Sequence, residues 1–227
     1  MRRFRLPLLM MLLAIALTPL AHAAQTWTEG THYDVITPAQ RTTVAAGKVE
    51  VMEVFSFGCP ACNHFQPVIE ALQRNLPANA QMVFLPASFQ PAEDWVVFQR
   101  AFFAAQALGI EARTHQAIYD AIWETGELQT IDSDTRRIRN PLPSIEDVAR
   151  CYERLTGVKA GVFLATANSP AVDAKMKAAD AQITAMQVPG TPGIVVNGRY
   201  RINMDALQDL DGLVSLVQYL VDKEAKH

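Results

Sequence analysis

The chain has 227 residues, half of them apolar, with 20 basic and 23 acidic side chains and a net charge of −3. That balance leaves no basic footprint for nucleic acid, and the apolar content supports a real core that needs no disulfides. Three cysteines, an odd number, do not make a disulfide framework.

In chain order, the first segment reads MRRFRLPLLMMLLAIALTPLAHA, with basic Arg2, Arg3 and Arg5, an apolar run from Leu6 to Leu17, Pro19, then Ala21-His22-Ala23. These features predict a secretory signal peptide over 1–23 with an A-x-A cleavage site. An uncleaved anchor is the weaker reading, because the run is short for a bilayer span. Export places the cysteines outside the reducing cytoplasm, in a bacterial periplasm. Loss of the three arginines takes the basic count from 20 to 17 against 23 acidic residues, about −6. About 204 of the 227 residues remain, expected as one large domain or one domain with a sizeable insertion.

Val49 to Phe57, VEVMEVFSF, is rich in β-branched and aromatic residues and predicts a buried strand. From Pro60 to Leu76, Phe65, Val68, Ile69, Leu72 and Leu76 fall at helical spacing, and Pro77 ends the pattern. Ala80 to Leu85 predicts a second strand, parallel to the first if the helix between them is a crossover. An all-helical block follows, with one stripe at Trp95, Phe98, Phe102 and Ala105 and another at Ile118, Ile122 and Trp123. A third stripe, Ile145, Val148, Ala149 and Tyr152, follows the cap candidate Ser144, and RNPLP at Arg139 to Pro143 punctuates the block. A further helix is expected from Pro170 to Met186 with Ser169 as cap. Then Gly193 to Val196 and Arg199 to Ile202 flank Asn197-Gly198, a strong hairpin signal, and a last helix is expected from about Met204 to Ala225. This order makes a small α/β core with helices inserted in its middle.

The cysteine pair of FSFGCPACNHF falls where the first strand hands over to a helix, with Cys59 at the N-cap, Pro60 at N1 and Cys62 at N3. Residues three apart on a helical turn are near enough for a disulfide. The helix N-terminus, with its partial positive charge and free N–H groups, favours a thiolate at Cys59, and an acidic thiol leaves readily in exchange. Cys62, further into the helix, is expected to be more buried.

Zinc wants four ligands, and beyond this pair the chain offers only the distant Cys151 and scattered histidines. Attached c-type haem needs Cys-x-x-Cys-His, whereas Asn63 follows Cys62 and His64 comes one residue late, a rotation of about 100°. A purely structural disulfide closing so short a loop stabilises little. A redox-active dithiol is the reading the residues favour.

Glu53, in the middle of the apolar strand, shares a face with Phe55 and Phe57 by alternation. A carboxyl buried there suits a proton shuttle for Cys62, unless the strand is an edge and Glu53 reaches solvent. Pro189-Gly190-Thr191-Pro192-Gly193 precedes the hairpin, where a cis Thr191-Pro192 bond would hold a backbone edge open for a peptide; an ordinary trans turn is the alternative. His64 lies about 140° round the helix from Cys59 and reads as surface or groove edge. Cys151 reads as a small buried hydrophobe rather than a regulatory or intermolecular thiol, and the Trp95, Phe98 and Phe102 stripe as bundle core.

Glu53, Phe55 to Cys62, the mid-chain helical block and Thr191 to Tyr200, TPGIVVNGRY, together resemble the DsbA family of periplasmic thiol:disulfide oxidoreductases, nearly across the exported chain. The resemblance implies an α/β thioredoxin fold with an inserted helical domain: a thioredoxin-like part over 24–87 and 160–227, and the insertion over 88–159. It implies Cys59 as the exposed thiol that forms the mixed disulfide, Cys62 as its resolver and Glu53 as the buried acid. It implies Pro192 as the cis-proline beside the dithiol, with Thr191 offering backbone hydrogen bonds to bound peptide. The clients would be reduced, unfolded exported polypeptides, and the reoxidant a membrane-embedded, quinone-coupled thiol oxidase. No cofactor and no metal are implied, and a monomer is expected.

The chain departs from family members with Cys-Pro-His-Cys, because Ala61 stands in the histidine's place between Pro60 and Cys62. Gln66 replaces an acid common one turn on, and Thr191 replaces a frequent valine before the cis-proline. Losing a cationic neighbour is expected to leave Cys59 less acidic and the disulfide less oxidising than in such relatives. A disulfide isomerase or reductase on the same fold is the nearest alternative, although only about 25 residues precede the first strong strand, too few for the dimerisation domain of dimeric isomerases. A non-catalytic chaperone or metal-binding module is the alternative from another class.

Overall fold

The protein is described by a computed structural model over residues 26–132 and 134–225, and the signal peptide expected at 1–23 lies outside that range. Along the chain come strands β1 (Tyr33–Val35) and β2 (Val49–Phe55), helix α1 (Pro60–Arg74) and strand β3 (Ala80–Pro86). Five helices follow: α2 (Trp95–Ala107), α3 (Glu111–Trp123), α4 (Ile145–Thr156), α5 (Ala160–Ala167) and α6 (Pro170–Ala185). The hairpin β4 (Gly193–Val196) and β5 (Tyr200–Ile202), a single 3-10 turn at Met204–Ala206 and helix α7 (Leu210–Glu224) complete it.

The sheet order is β1-β5-β4-β2-β3. β2 runs parallel to β3 and antiparallel to β4, so α1 is the crossover that the sequence calls for. All seven β2 residues are buried, as expected for a strand covered on both faces. On one face, Val49, Val51, Ile194 and Val196 meet Ile69 and Leu72 of α1 and Leu213, Leu216 and Leu220 of α7. On the other, Met52, Val54 and Val195 join a larger cluster with Phe98 and Phe102 of α2, Ile118 of α3 and Met176 and Ile183 of α6. The hairpin turns at Asn197 and Gly198, whose φ values of 52° and 60° are those of the primed turn an Asn-Gly pair favours.

Three elements differ from the sequence reading. β1 is a three-residue edge strand paired with β5 from Tyr33–Ile202 to Val35–Tyr200, and so short a run carries no usable alternation. α5, AGVFLATA, is too short and too evenly apolar to show a helical period, and it packs against α2 and α4. The last helix begins at Leu210 rather than near Met204, because Asp209 accepts the Gly212 N–H at 2.8 Å and starts the helix there. Ser144 and Ser169 cap α4 and α6 as expected, and Ser144 forms a full capping box with Asp147.

Candidate active site

Cys59 caps α1 in an extended conformation, and its sulfur accepts the Cys62 N–H at 3.4 Å. Pro60 occupies N1, where its missing N–H costs nothing, so the β2 to α1 junction forms as the residue types dictate. Pro60, Ala61 and His64 are exposed. Cys59 is only 5% exposed, less open than the word "exposed" in the sequence reading implies, while Cys62 is at 0%. The difference arises because the Thr191 segment closes over the cap: the Cys59 thiol donates to the Thr191 carbonyl at 3.6 Å. Thr191 and Pro192 are half-buried and the bond between them is cis.

The two thiols diverge. Cys59 is lowered from 9.0 to about 6, first because the Cys62 thiol donates to it, against a burial effect that opposes the charge. The Thr191 hydroxyl and the backbone N–H groups of Cys62 and Ala61 lower it further. Cys62 goes the other way, driven up by burial, by its donation to Cys59 and by the negative charges of Cys59 and Glu53. The arrangement favours a thiolate on Cys59 and a proton on Cys62 without a histidine between them.

Glu53 is fully buried, and β2 lies inside the sheet between β4 and β3, so this carboxyl does not reach solvent from an edge. Neither of its oxygens has a hydrogen-bond partner among the described residues. Burial raises its pKa well above the usual carboxylate range, and the Cys59 charge adds to the rise. A carboxyl held neutral within electrostatic reach of both sulfurs has a proton it can give up when a negative charge forms there.

The loop before Cys59 is held from the helical block. Trp123 Nε1 donates to the Phe57 carbonyl at 2.9 Å, and the Tyr119 hydroxyl lies 3.5 Å from the Ser56 carbonyl. A side chain at Gly58 would sit 2.6 Å from Asp94 Oδ1 and 3.2 Å from the Trp95 ring, which leaves glycine as the residue that fits. Gln66 is buried, its amide 3.5 Å from the Cys62 carbonyl. Asp94, Tyr119 and Trp123 were not read from the sequence as site residues. Tyr119 and Trp123 carried one signal, an aromatic ring whose polar tip needs a partner when it is buried.

Cys151 is fully buried on α4 and raised to about 11, chiefly by burial, which suits the inert role expected of it. A groove of about 240 Å³ lies between Phe65 and Val68 of α1 and Met204, Leu207, Leu210 and Leu213. A larger cavity, about 760 Å³, is lined from α1, β3, α3 and α6 and includes none of Cys59, Cys62, Thr191 and Pro192.

Comparison with known proteins finds relatives of this chain. The family model for a DSBA-like thioredoxin domain matches residues 50–218. The thiol:disulfide interchange protein DsbA of Pseudomonas aeruginosa is 31% identical over 215 residues, covering 94% of this chain and 93% of that one. Its counterpart in Azotobacter vinelandii is 30% identical over 187 residues, covering 82% and 80%. The solved structure of oxidoreductase DsbA from Xylella fastidiosa superposes with a TM-score of 0.73 at 32% identity, covering 86% of this chain and 96% of that one.

Proposed function

Because the chain belongs to the DSBA-like thioredoxin domain family and is a thiol:disulfide oxidoreductase that acts on substrate proteins by thiol exchange, we propose that it oxidises exported polypeptides in a bacterial periplasm through Cys59 and Cys62. The divergence of the two thiols carries this reading: one sulfur holds a charge easily and leaves easily, and its partner keeps its proton.

A client thiolate attacks Cys59 Sγ, the bond to Cys62 breaks, and its electron pair goes to Cys62. Glu53 supplies the proton that Cys62 needs, because a thiol so deeply buried is a poor anion. The client's second thiolate then attacks the client sulfur of the mixed disulfide and releases Cys59 as a thiolate, leaving a disulfide in the client and a dithiol in the protein. A protonated Cys62 does not attack back, so the mixed disulfide resolves towards the client. Extended client backbone lies along Thr191 and Pro192, and an apolar side chain enters the groove between Phe65 and Leu207. Pro60 and Ala61 tune the pair from the exposed turn between the sulfurs. Reoxidation comes from a membrane-embedded, quinone-coupled thiol oxidase acting on a monomer exported by the segment at 1–23. The thioredoxin-like part spans 24–87 and 160–227, with 88–159 inserted.

The test is the equilibrium of the Cys59–Cys62 pair with glutathione. An oxidising potential supports the reading, and a value near that of thioredoxin moves it to reductase or isomerase. In parallel, the free Cys59 thiolate of Cys62→Ser is expected to attack a client that carries a disulfide, releasing one client thiol and accumulating the mixed disulfide that no Cys62 can resolve, whereas Cys59→Ser forms none.

A further inference from the structure

The segment between α3 and α4 carries a surface that the thiol chemistry does not use. It leaves from the active-site loop, because Trp123, the last residue of α3, donates to the Phe57 carbonyl at 2.9 Å. Further along, buried Thr130 hydrogen-bonds the Asp94 side chain, and Asp94 Oδ1 packs against Gly58, 2.6 Å from where a side chain there would begin. From Thr130 the chain folds back on itself. Ile131 pairs antiparallel with Ile138, the Asp132 N–H donates to the Arg137 carbonyl at 2.8 Å, and the Arg139 N–H returns to the Thr130 carbonyl at 2.9 Å.

The returning arm reads Arg136-Arg137-Ile138-Arg139, and all four residues are exposed. On a chain with a net charge of −3, three arginines in four positions are a local reversal of sign. Arg136 and Arg137 have no carboxylate partner among the described residues, and Arg139 bonds an amide oxygen, Gln129 Oε1, at 3.3 Å. Of the two acids in the turn, Asp132 is taken up by the turn itself: its carboxylate accepts the Thr135 N–H at 2.7 Å and hydroxyl at 2.8 Å. That leaves Asp134 against three guanidinium groups. The surface is apolar as well as cationic. Two of the five large apolar side chains exposed on the described residues lie on the segments tied to Gly58: Ile138 at 53%, and Phe89 at 38% with its ring 6.4 Å from Trp95, which also lies against Gly58. Arginine beside exposed aliphatic and aromatic side chains is the composition of a recognition patch.

We propose that Arg136, Arg137 and Arg139, with Ile138, form a client-recognition surface beside Cys59 that takes polypeptides carrying carboxylates close to the cysteine being oxidised. The inference rests on the reading of the protein as an oxidant of client thiols. Guanidinium groups pair with carboxylates through their fork of N–H donors, while Ile138 and Phe89 cover apolar client side chains. Extended backbone along Thr191 and Pro192 is bound whatever its sequence, so this surface supplies the discrimination that a backbone site lacks. A lipid surface fits less well, because anionic membranes are held by clusters of roughly four to eight cations.

The experiment measures the rate at which the oxidised protein closes dithiol peptides into cyclic disulfides. The two electrons and two protons of the peptide dithiol pass to the Cys59–Cys62 disulfide, which becomes a dithiol. Three peptides of one cysteine spacing, with Glu, Gln or Lys flanking the cysteines, are compared in wild type and in the triple variant Arg136→Gln, Arg137→Gln, Arg139→Gln. Each rate is divided by the same protein's rate with dithiothreitol, an uncharged dithiol, which removes any change at the sulfurs. Taking variant against wild type for one peptide at a time cancels differences in peptide thiol acidity. The variant is expected to be slower by roughly fivefold on the Glu peptide, level on the Gln peptide and faster on the Lys peptide. Salt at about 0.5 M should close these gaps, since the pairs are exposed. One ratio for all three peptides, or gaps that salt does not change, overturns the surface and leaves the oxidant reading standing. Equal ratios together with binding to phosphatidylglycerol vesicles that the variant loses would assign the arginines to a lipid surface instead. A wild type that dithiothreitol reduces but that oxidises none of the peptides overturns both readings.

Discussion

At the scale of single residues, the site replaces a cation with donors. Ala61 brings no charge, yet Cys59 is lowered to about 6 by the Cys62 thiol, the Thr191 hydroxyl and two backbone N–H groups. Thr191→Val is therefore expected to raise the Cys59 pKa by roughly half a unit to one unit, and Ala61→His to lower it by a similar amount, since Ala61 is exposed and has room for a ring. Thiolate absorbance against pH reads both. An unchanged value in Thr191→Val would remove the hydroxyl from the account. Glu53 makes a prediction of opposite sign in the oxidised protein, which has no thiolate. Its folded pKa is raised, so the native state keeps a proton that the unfolded state loses near pH 4.5. Its stability cost is absent below that value and grows as the pH rises towards the folded pKa. Glu53→Gln is expected to be level with wild type at pH 4 and more stable by about 1–3 kcal/mol at pH 7, in urea titrations of both oxidised proteins. The dithiol and Glu53 were legible because each breaks its surroundings: two cysteines at a strand end, and a carboxylate in the middle of a largely apolar strand, where the other, Glu50, sits near the strand's start and accepts from Thr43. Tyr119 and Trp123 fall within the ordinary amphipathic pattern of α3, and only their partners' positions, more than sixty residues away, reveal them.

At the scale of elements, local chemistry decided what the sequence disclosed. β2, α1 and the Asn197-Gly198 hairpin follow from period and turn residues, and the structure has them. α5 is hidden because AGVFLATA is apolar on every side, and its helix is imposed by packing on α2 and α4. The start of α7 was misplaced because Leu207 and Leu210 extend an apolar pattern across a cap. Asp209 outweighs that pattern: its carboxylate accepts the Gly212 N–H and its charge suits a helix N-terminus. Asp209→Ala should cost about 1 kcal/mol by urea denaturation. Because α7 covers β2 and β4, that loss should appear in global unfolding rather than as fraying of one end. A shift confined to amide exchange in the first turn of α7 would mean the cap is local only.

At the scale of the whole molecule, the lowered Cys59 pKa couples redox state to stability. The reduced protein holds an anion that the unfolded chain forms only near 9.0, so the contribution is complete above that value and is lost as the pH falls through about 6. The oxidised protein has no such group. The stability of reduced protein relative to oxidised should therefore rise from pH 6 to about 8.5. Cys62 works against this only where an unfolded thiol ionises, towards pH 9 and above, because its folded pKa is raised. Glu53 opposes it inside the window, since the Cys59 charge raises it further in the reduced form alone. The slope should thus be steeper in Glu53→Gln than in wild type. Paired urea titrations of both redox forms at pH 6, 7 and 8.5 measure it. A gap independent of pH would mean that Cys59 does not ionise within that range. Because folding and the disulfide share one thermodynamic cycle, the same gap is the amount by which folding shifts the pair towards its dithiol, relative to the same pair in the unfolded chain. A fold that stabilises its own reduced state passes its disulfide on, and so the helix cap at Cys59 and the oxidising chemistry are one property measured two ways, which the buried acid behind Cys62 opposes.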